Sequence, residues 1–170
     1  MKRLTTIVSV LVLLSLSVTG CRMRCPDGRS CETISGEMNE MASLIDDARA
    51  DAGVPPLTRT ILGLVAIDHS KDMACRDFFD HINPDGDNPA DRVEEELGEA
   101  YEPPYVWISE NIGTRATARE QFDSWMSSAG HRDNILDDRV DELGIALVHI
   151  SAGSTYTHYW TAIFLGRHSR

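Results

Sequence analysis

Three side chains in this chain have the types and settings to act together on a metal or a ligand: His81, Glu110 and His131. His81 sits in Phe78-Phe79-Asp80-His81-Ile82-Asn83-Pro84-Asp85-Gly86, at the exit of an apolar helical stretch and just before a turn. Glu110 is a lone carboxylate in the strand-like run Ile108-Ser109-Glu110-Asn111-Ile112-Gly113. His131 follows a helix end, in Ala129-Gly130-His131-Arg132-Asp133-Asn134-Ile135-Leu136. Two neutral imidazoles in one cleft suit a divalent ion such as zinc and leave positions open for water. A carboxylate beside them is either a further ligand or the partner that orients one ring through its second nitrogen. The alternative is a buried His–Glu hydrogen-bond network that pins helix ends to a sheet and performs no chemistry. A nucleophile elbow, an H-E-x-x-H helix and a Ser-His-Asp spacing are all missing, so the usual protease routes lack support.

The elements that must position these groups run helices first and strands last. Met38, Met41, Leu44, Ile45, Ala48 and Ala52 fall at helical spacing, with Ser35 as N-cap and Gly53 as stop. Pro55-Pro56 forces a break. The pattern predicts a second helix from Leu57 to Phe79, apolar on nearly every side and therefore buried between layers. Asn83-Pro84-Asp85-Gly86 reads as a turn, Pro89 to Leu97 as a short acidic helix, Gly98 to Pro104 as loop, and Ala116 to Ser128 as a third long helix. The period then changes: Gly144–Ile150 and Tyr156–Leu165 are β-rich, with Ser151-Ala152-Gly153-Ser154 as a hairpin signal, and Val106-Trp107-Ile108 adds a short strand. Helices gathered before a small antiparallel sheet predict a layered α+β domain.

A length of 170 residues gives one domain, and 42% hydrophobic residues suffice for a packed core. A net charge of -11 excludes nucleic-acid binding through a basic face. The front end is different in kind. Met1-Lys2-Arg3 precedes an apolar stretch from Ile7 to Val18, and Leu16-Ser17-Val18-Thr19-Gly20-Cys21 places small residues before a cysteine. This layout predicts a lipoprotein signal over residues 1–20, with Cys21 as the lipidated N-terminus of an exported chain. An ordinary cleaved signal would instead leave Cys21 as a disulfide partner. Residues 21–36 then read as an arm and 37–170 as the domain.

Cys25, Cys31 and Cys75 complete the thiols, an odd number once Cys21 is set aside. The Pro26-Asp27-Gly28 turn could bring Cys25 to Cys31, while a link from either to Cys75 would staple the arm to the domain. Without a CxxC pair, a zinc cluster of these thiols is disfavoured. Between Met73-Ala74 and Phe78-Phe79, Cys75 reads as a buried structural thiol. Other polar and aromatic positions get structural readings. His69 packs or caps, and His149, His158 and His168 have no partner spacing. Glu94-Glu95-Glu96 is a solvated face, and Arg92 is a partner for those acids or for the cleft edge. Trp107, Tyr156, Tyr159 and Trp160 either pack across strands or line a groove for an apolar ligand.

Taken in order, His69-Ser70-Lys71-Asp72-Met73-Ala74 leading into Phe79-Asp80-His81, then Glu110-Asn111-Ile112, then Trp125 through Leu136 resemble the CAP superfamily. This group comprises cysteine-rich secretory proteins, antigen 5 and pathogenesis-related 1, and the resemblance, to its short bacterial type, spans Met41 to Gly166. It implies a three-layer α-β-α sandwich whose cleft holds two His and two acidic residues. His81 matches the first histidine, Glu110 the carboxylate of the Glu-Asn segment, and His131 the second histidine. The remaining acid, three residues after the helix Trp in many members, is Ser128 here, and Asp123 is turned to another side of the helix.

The resemblance implies a zinc-binding cleft, and three functions of different classes follow. One is a membrane-attached binding module for a small apolar ligand, a peptide or a glycan. Another is a metal-dependent hydrolase in which Glu110 assists a bound water, against which the missing second carboxylate argues. The last is a non-catalytic structural domain.

Overall fold

The computed structural model describes residues 20–98 and 106–167. The signal features before Gly20, most of the loop expected at 98–104, and His168 lie outside the described residues. The described elements are β1 (Arg22–Arg24), β2 (Ser30–Thr33), α1 (Ser35–Ala52), β3 (Thr58–Arg59), α2 (Leu62–Arg76) and α3 (Pro89–Leu97). They continue with β4 (Val106–Gly113), α4 (Ala118–Ser127), α5 (Ala129–Leu136), β5 (Glu142–Ile150) and β6 (His158–Arg167).

The strands form one sheet in the order β1-β2-β5-β6-β4, with β3 beside β5. All pairings are antiparallel except the two-residue β3, which runs parallel to β5. In a strand, alternate side chains leave by opposite faces. Ala146, Ile163 and Leu165 therefore pack with Leu62, Val65 and Ala66 of α2. Leu143, Ile145, Leu147, Ala162 and Phe164 pack the other way, with Met41 and Ile45 of α1 and Phe122 and Trp125 of α4. Burial on both faces explains why β5 reads as a continuous apolar run rather than an alternating one. The molecule is the three-layer α-β-α sandwich expected. Gly144 lets the sheet approach α2 closely: a Cβ there would stand 2.2 Å from the carbonyl carbon of Leu62.

Local departures from the sequence reading have simple causes. The second helix begins at Leu62 rather than Leu57, because Thr58 and Arg59 pair with Glu142 and Leu143. Its apolarity is not all buried, since Ile61 is 51% and Leu64 50% exposed. The helix ends at Asp77, whose left-handed φ of 55° is unique among described non-glycine residues. The Asp77 carboxylate accepts from the Ser154 hydroxyl and the Thr155 N–H, so the β5–β6 loop holds this turn in place. Ile34, not Ser35, is the N-cap of α1, while Gly53 at φ 72° closes it as expected.

Residues 21–36 supply β1, β2 and the start of α1, and β2 pairs with β5, so this segment is part of the sheet rather than a free arm. Cys75 is not a free thiol: it is bonded to Cys25 across 50 residues, and Cys31 is the buried free cysteine. The β1–β2 hairpin packs on the C-terminal end of α2, where Cys25 and Cys31 share a cluster with Met73, Ala74 and Phe78. In chain-entropy terms a loop of this length is worth about 4 kcal/mol.

Arg49 of α1 is fully buried and donates to the carbonyls of Pro55, Ile135, Asp137 and Val140. One guanidinium thus ties α1 to the α5–β5 connection, satisfying carbonyls that would otherwise be orphaned at the end of α5. Of the four aromatics considered for a groove, Trp107 lines an open cavity with Val54, Ile108 and Leu136, and the other three pack against neighbouring rings. Trp160 is buried edge-on to Trp125, Tyr159 is buried beside Tyr156, and Trp107 lies under the Arg139 guanidinium near the far end of β4.

Candidate functional site

The site is built on β4, the outermost strand of its side of the sheet. Glu110 and Asn111 are neighbours on that strand, so their side chains leave by opposite faces. Glu110 turns to the α2–α3 layer and Asn111 to the α4–α5 layer. Strand edges present unpaired carbonyls that need covering. Here the Ile112 carbonyl accepts from the Trp125 indole at 2.9 Å, and the Glu110 carbonyl accepts from the Asn134 amide at 3.4 Å. Asn134 also donates to the Asn111 side chain at 2.8 Å, and Asn111 donates to the His131 carbonyl at 3.0 Å. This ladder docks α5 on the strand and fixes the backbone of His131.

The other histidine arrives from the opposite layer. After Asp77 reverses the chain, Arg92 of α3 donates to the carbonyls of His81 and Asp87, holding the turn against the helix. α3 itself starts from an Asn88–Asp91 capping box with Pro89 in its first turn. His81 Nδ1 lies 2.8 Å from Glu110 Oε1, and Arg92 donates to Glu110 Oε2 at 2.8 Å. The Glu110 side chain is 1% exposed, and each of its oxygens has a charged or polar partner. Because a carboxylate only accepts, His81 carries its proton on Nδ1 and presents Nε2 outward, with 46% of its side chain exposed.

Electrostatics link the groups across the sheet edge. Hydrogen bonding to Glu110 raises the pKa of His81 above its ordinary value against the cost of partial burial. Burial lowers that of His131, and the positive charge of His81 lowers it further. His81 and His131, expected from sequence to meet, therefore sense one another, although they belong to different layers. His131 Nδ1 is buried and has no hydrogen-bond partner. As a set of three, the donor atoms of His81, Glu110 and His131 do not fall within 4.8 Å of one another; among the described residues only the sulfurs of Cys25, Cys31 and Cys75 do.

His69 lies behind this group. It is 1% exposed, packs edge-on against Phe78, and its Nε2 donates to the Asp80 carbonyl at 3.1 Å while standing 3.9 Å from Glu110. Burial pushes its pKa down to about 4, so it is neutral at physiological pH. The packing role read from sequence is the one it has. A cavity of about 320 Å³ adjoins it, lined by His69, Arg92 and carboxylates that include Asp72, Asp87 and Glu95. The position of the fourth acid, Ser128, is the junction between α4 and α5, and Asp123 points to solvent, paired with Arg119 at 3.7 Å.

Sequence reasoning offered the cleft edge as one of two places for Arg92 and passed over Asn134. The capping box beside Arg92 was the available signal, since it fixes where that side chain must start. For Asn134 the spacing of one helical turn from His131 was the only hint.

The fold has counterparts. The family model of the cysteine-rich secretory protein family, CAP, matches residues 42–164. The uncharacterized protein YkwD of Bacillus subtilis (strain 168) is 28% identical over 137 residues, which is 79% of this chain and 49% of that protein. The chain thus spans about half the length of the curated relative it matches. An extracellular protein of Bacillus anthracis containing an SCP domain superposes with a TM-score of 0.65 at 25% identity, over 78% of this chain and 41% of that one. An outer surface protein of Borrelia burgdorferi superposes with a TM-score of 0.68 at 15% identity, over 88% of this chain and 99% of that one. From its match over most of the domain, with His81, Glu110 and His131 inside the matched span, the chain belongs to the cysteine-rich secretory protein family.

Proposed function

We propose that this protein is an exported binding module, held at the cell envelope by lipid on Cys21, whose His81–His131 cleft takes a divalent metal such as zinc and an extracellular ligand. The observation that carries this reading is the 2.8 Å contact between His81 Nδ1 and Glu110. A carboxylate behind an imidazole fixes its tautomer and aims the other nitrogen at a ligand. The unpartnered Nδ1 of His131 adds a second donor that wants an acid or a metal. These residues suit an ion held by two imidazoles with water completing its shell, and Glu110 acts as a positioning residue. When bound, such an ion would offer a Lewis-acidic point for an extracellular ligand, a small apolar molecule, a peptide or a glycan.

Binding is favoured over hydrolysis by the same geometry. Both Glu110 oxygens are engaged, by His81 and by Arg92, which leaves no free carboxylate to accept a proton from water. Ser128 supplies no substitute. Placement at the envelope is supported by the sequence before Cys21 and by the extracellular and outer-surface descriptions of the structural relatives. No helix among the described residues is long and apolar enough to cross a membrane. Lipid chains add about 0.8 kcal/mol per buried methylene, enough for lasting attachment when several are present.

Zinc titrated calorimetrically into the wild-type domain should bind at one site. H81A/H131A should abolish that binding, and Glu110→Gln should weaken it by about 10- to 100-fold. Undiminished uptake by H81A/H131A would refute the metal assignment. Separately, Cys21→Ser should move the protein from the membrane to the soluble fraction, and a variant that stays wholly with membranes would contradict lipidation.

A further inference from the structure

The sulfurs of Cys25, Cys31 and Cys75 all lie within 4.8 Å of one another, yet only Cys25 and Cys75 are joined. A staple between the hairpin and α2 needs two cysteines. The third, Cys31, is a free thiol with 2% exposure, set directly against the disulfide. Cys31 pairs across the hairpin with Met23, and Cys25 stands two residues beyond Met23, so both cysteines project from the same hairpin face. Cys75, on the helix, is the most exposed of the three, and Arg29 donates to its carbonyl oxygen.

We propose that this trio is a thiol–disulfide exchange site, in which Cys31 displaces Cys75 from Cys25. The Cys31 thiolate attacks Cys25 Sγ; the Cys25–Cys31 bond forms as the Cys25–Cys75 bond breaks, and Cys75 leaves as a thiolate. Cys75 then takes up the proton that Cys31 gave up. One disulfide and one thiol are present before and after, so no external oxidant or reductant enters. Attack at Cys25 is favoured because both sulfurs ride on one hairpin, which need not move off α2. Cys75 is the better leaving group because it is the better solvated of the two.

The exchange replaces a long-range staple by one local to the hairpin. It frees the C-terminal end of α2 six residues before His81. The groups facing Cys31 set its pace. Lys71 of α2 and Arg29 of the hairpin favour the thiolate, while burial opposes it more strongly. Arg22 and Glu32 of the hairpin and His149 of β5 border the small cavity that Cys31 also lines. The thiol form therefore dominates at neutral pH, and exchange speeds up as pH rises.

The test uses the chain with Cys21→Ser, which removes the exposed thiol outside the trio, and the same chain with Cys31→Ser added. Native protein is held with iodoacetamide between pH 7 and 9 without reductant, then digested and mapped by mass spectrometry. Exchange predicts alkylation of Cys75 together with a Cys25–Cys31 disulfide, at a rate independent of protein concentration and rising about tenfold per pH unit below the thiol pKa. The chain with Cys31→Ser added should take no label. Label on Cys31 or Cys25, no label at all, or label on Cys75 in the chain lacking Cys31 would each overturn the proposal.

Discussion

Glu110→Ala should cost about 3–5 kcal/mol of folding stability at pH 7, the range seen when one member of a buried charge pair is removed. Arg92 is the reason. Its side chain is 9% exposed, its Nη2 donates to Glu110, and its Nε already lacks a partner. Truncating Glu110 leaves that guanidinium buried with only the carbonyls of His81 and Asp87 as acceptors. The loss extends to His81, which would no longer be oriented, and to α3, which Arg92 ties to the turn. Glu110→Gln should cost less, because the amide keeps one acceptor although its NH₂ must then face a donor. Denaturant unfolding of the three proteins measures this. A change below 1 kcal/mol for the alanine variant, on the scale of a surface pair, would mean that the carboxylate is not buried as described.

Acid should destabilise the protein through His69 by about 3 kcal/mol between pH 6.5 and 4. In that window the unfolded chain binds a proton at this residue and the folded chain does not, so stability falls as pH falls. Below about pH 4 both states are protonated and the contribution levels off. His81 works in the opposite sense: its raised pKa gives stability that is present below its unfolded value and is lost as pH rises through the folded one. Carboxylates also titrate in the acid range, so the informative quantity is a difference. His69→Gln keeps a donor for the Asp80 carbonyl and has nothing to titrate. Its plot of unfolding free energy against pH should be flatter than that of the wild type by up to one proton's slope between pH 4 and 6.5. Parallel plots would contradict the buried, neutral assignment.

Much of this architecture was legible in the residues because it depends on local chemistry. The spacing of Met41, Leu44 and Ile45 with Gly53 behind it gives α1, and the double-sided apolar run gives β5. The segments carrying His81, Glu110 and His131 resemble known ones closely enough to single out all three residues. What stayed hidden depends on partners far away in sequence. The strand-like run from Ile108 to Gly113 is legible, but not that Trp125 and Asn134 cover the carbonyls along its outer edge. Arg49 looks like an ordinary polar-face residue of α1 until the end of α5 supplies carbonyls for it. Cys75 sits in an apolar context that suits a free thiol equally well, and only the docking of the hairpin on α2 decides otherwise. Arg92 could have served the solvated acids of its own helix. It turns inward because Glu110 offers a buried charge.

A single titration tests the proposed convergence of two imidazoles from opposite layers on one sheet edge. The His131 ring should be followed by NMR as a function of pH in the wild type and in His81→Ala. The account predicts a midpoint below 6.5 in the wild type that moves upward in the variant, since a nearby positive charge has gone while the burial of His131 remains. A His131 midpoint that is the same in both proteins would show that the two rings do not share a site.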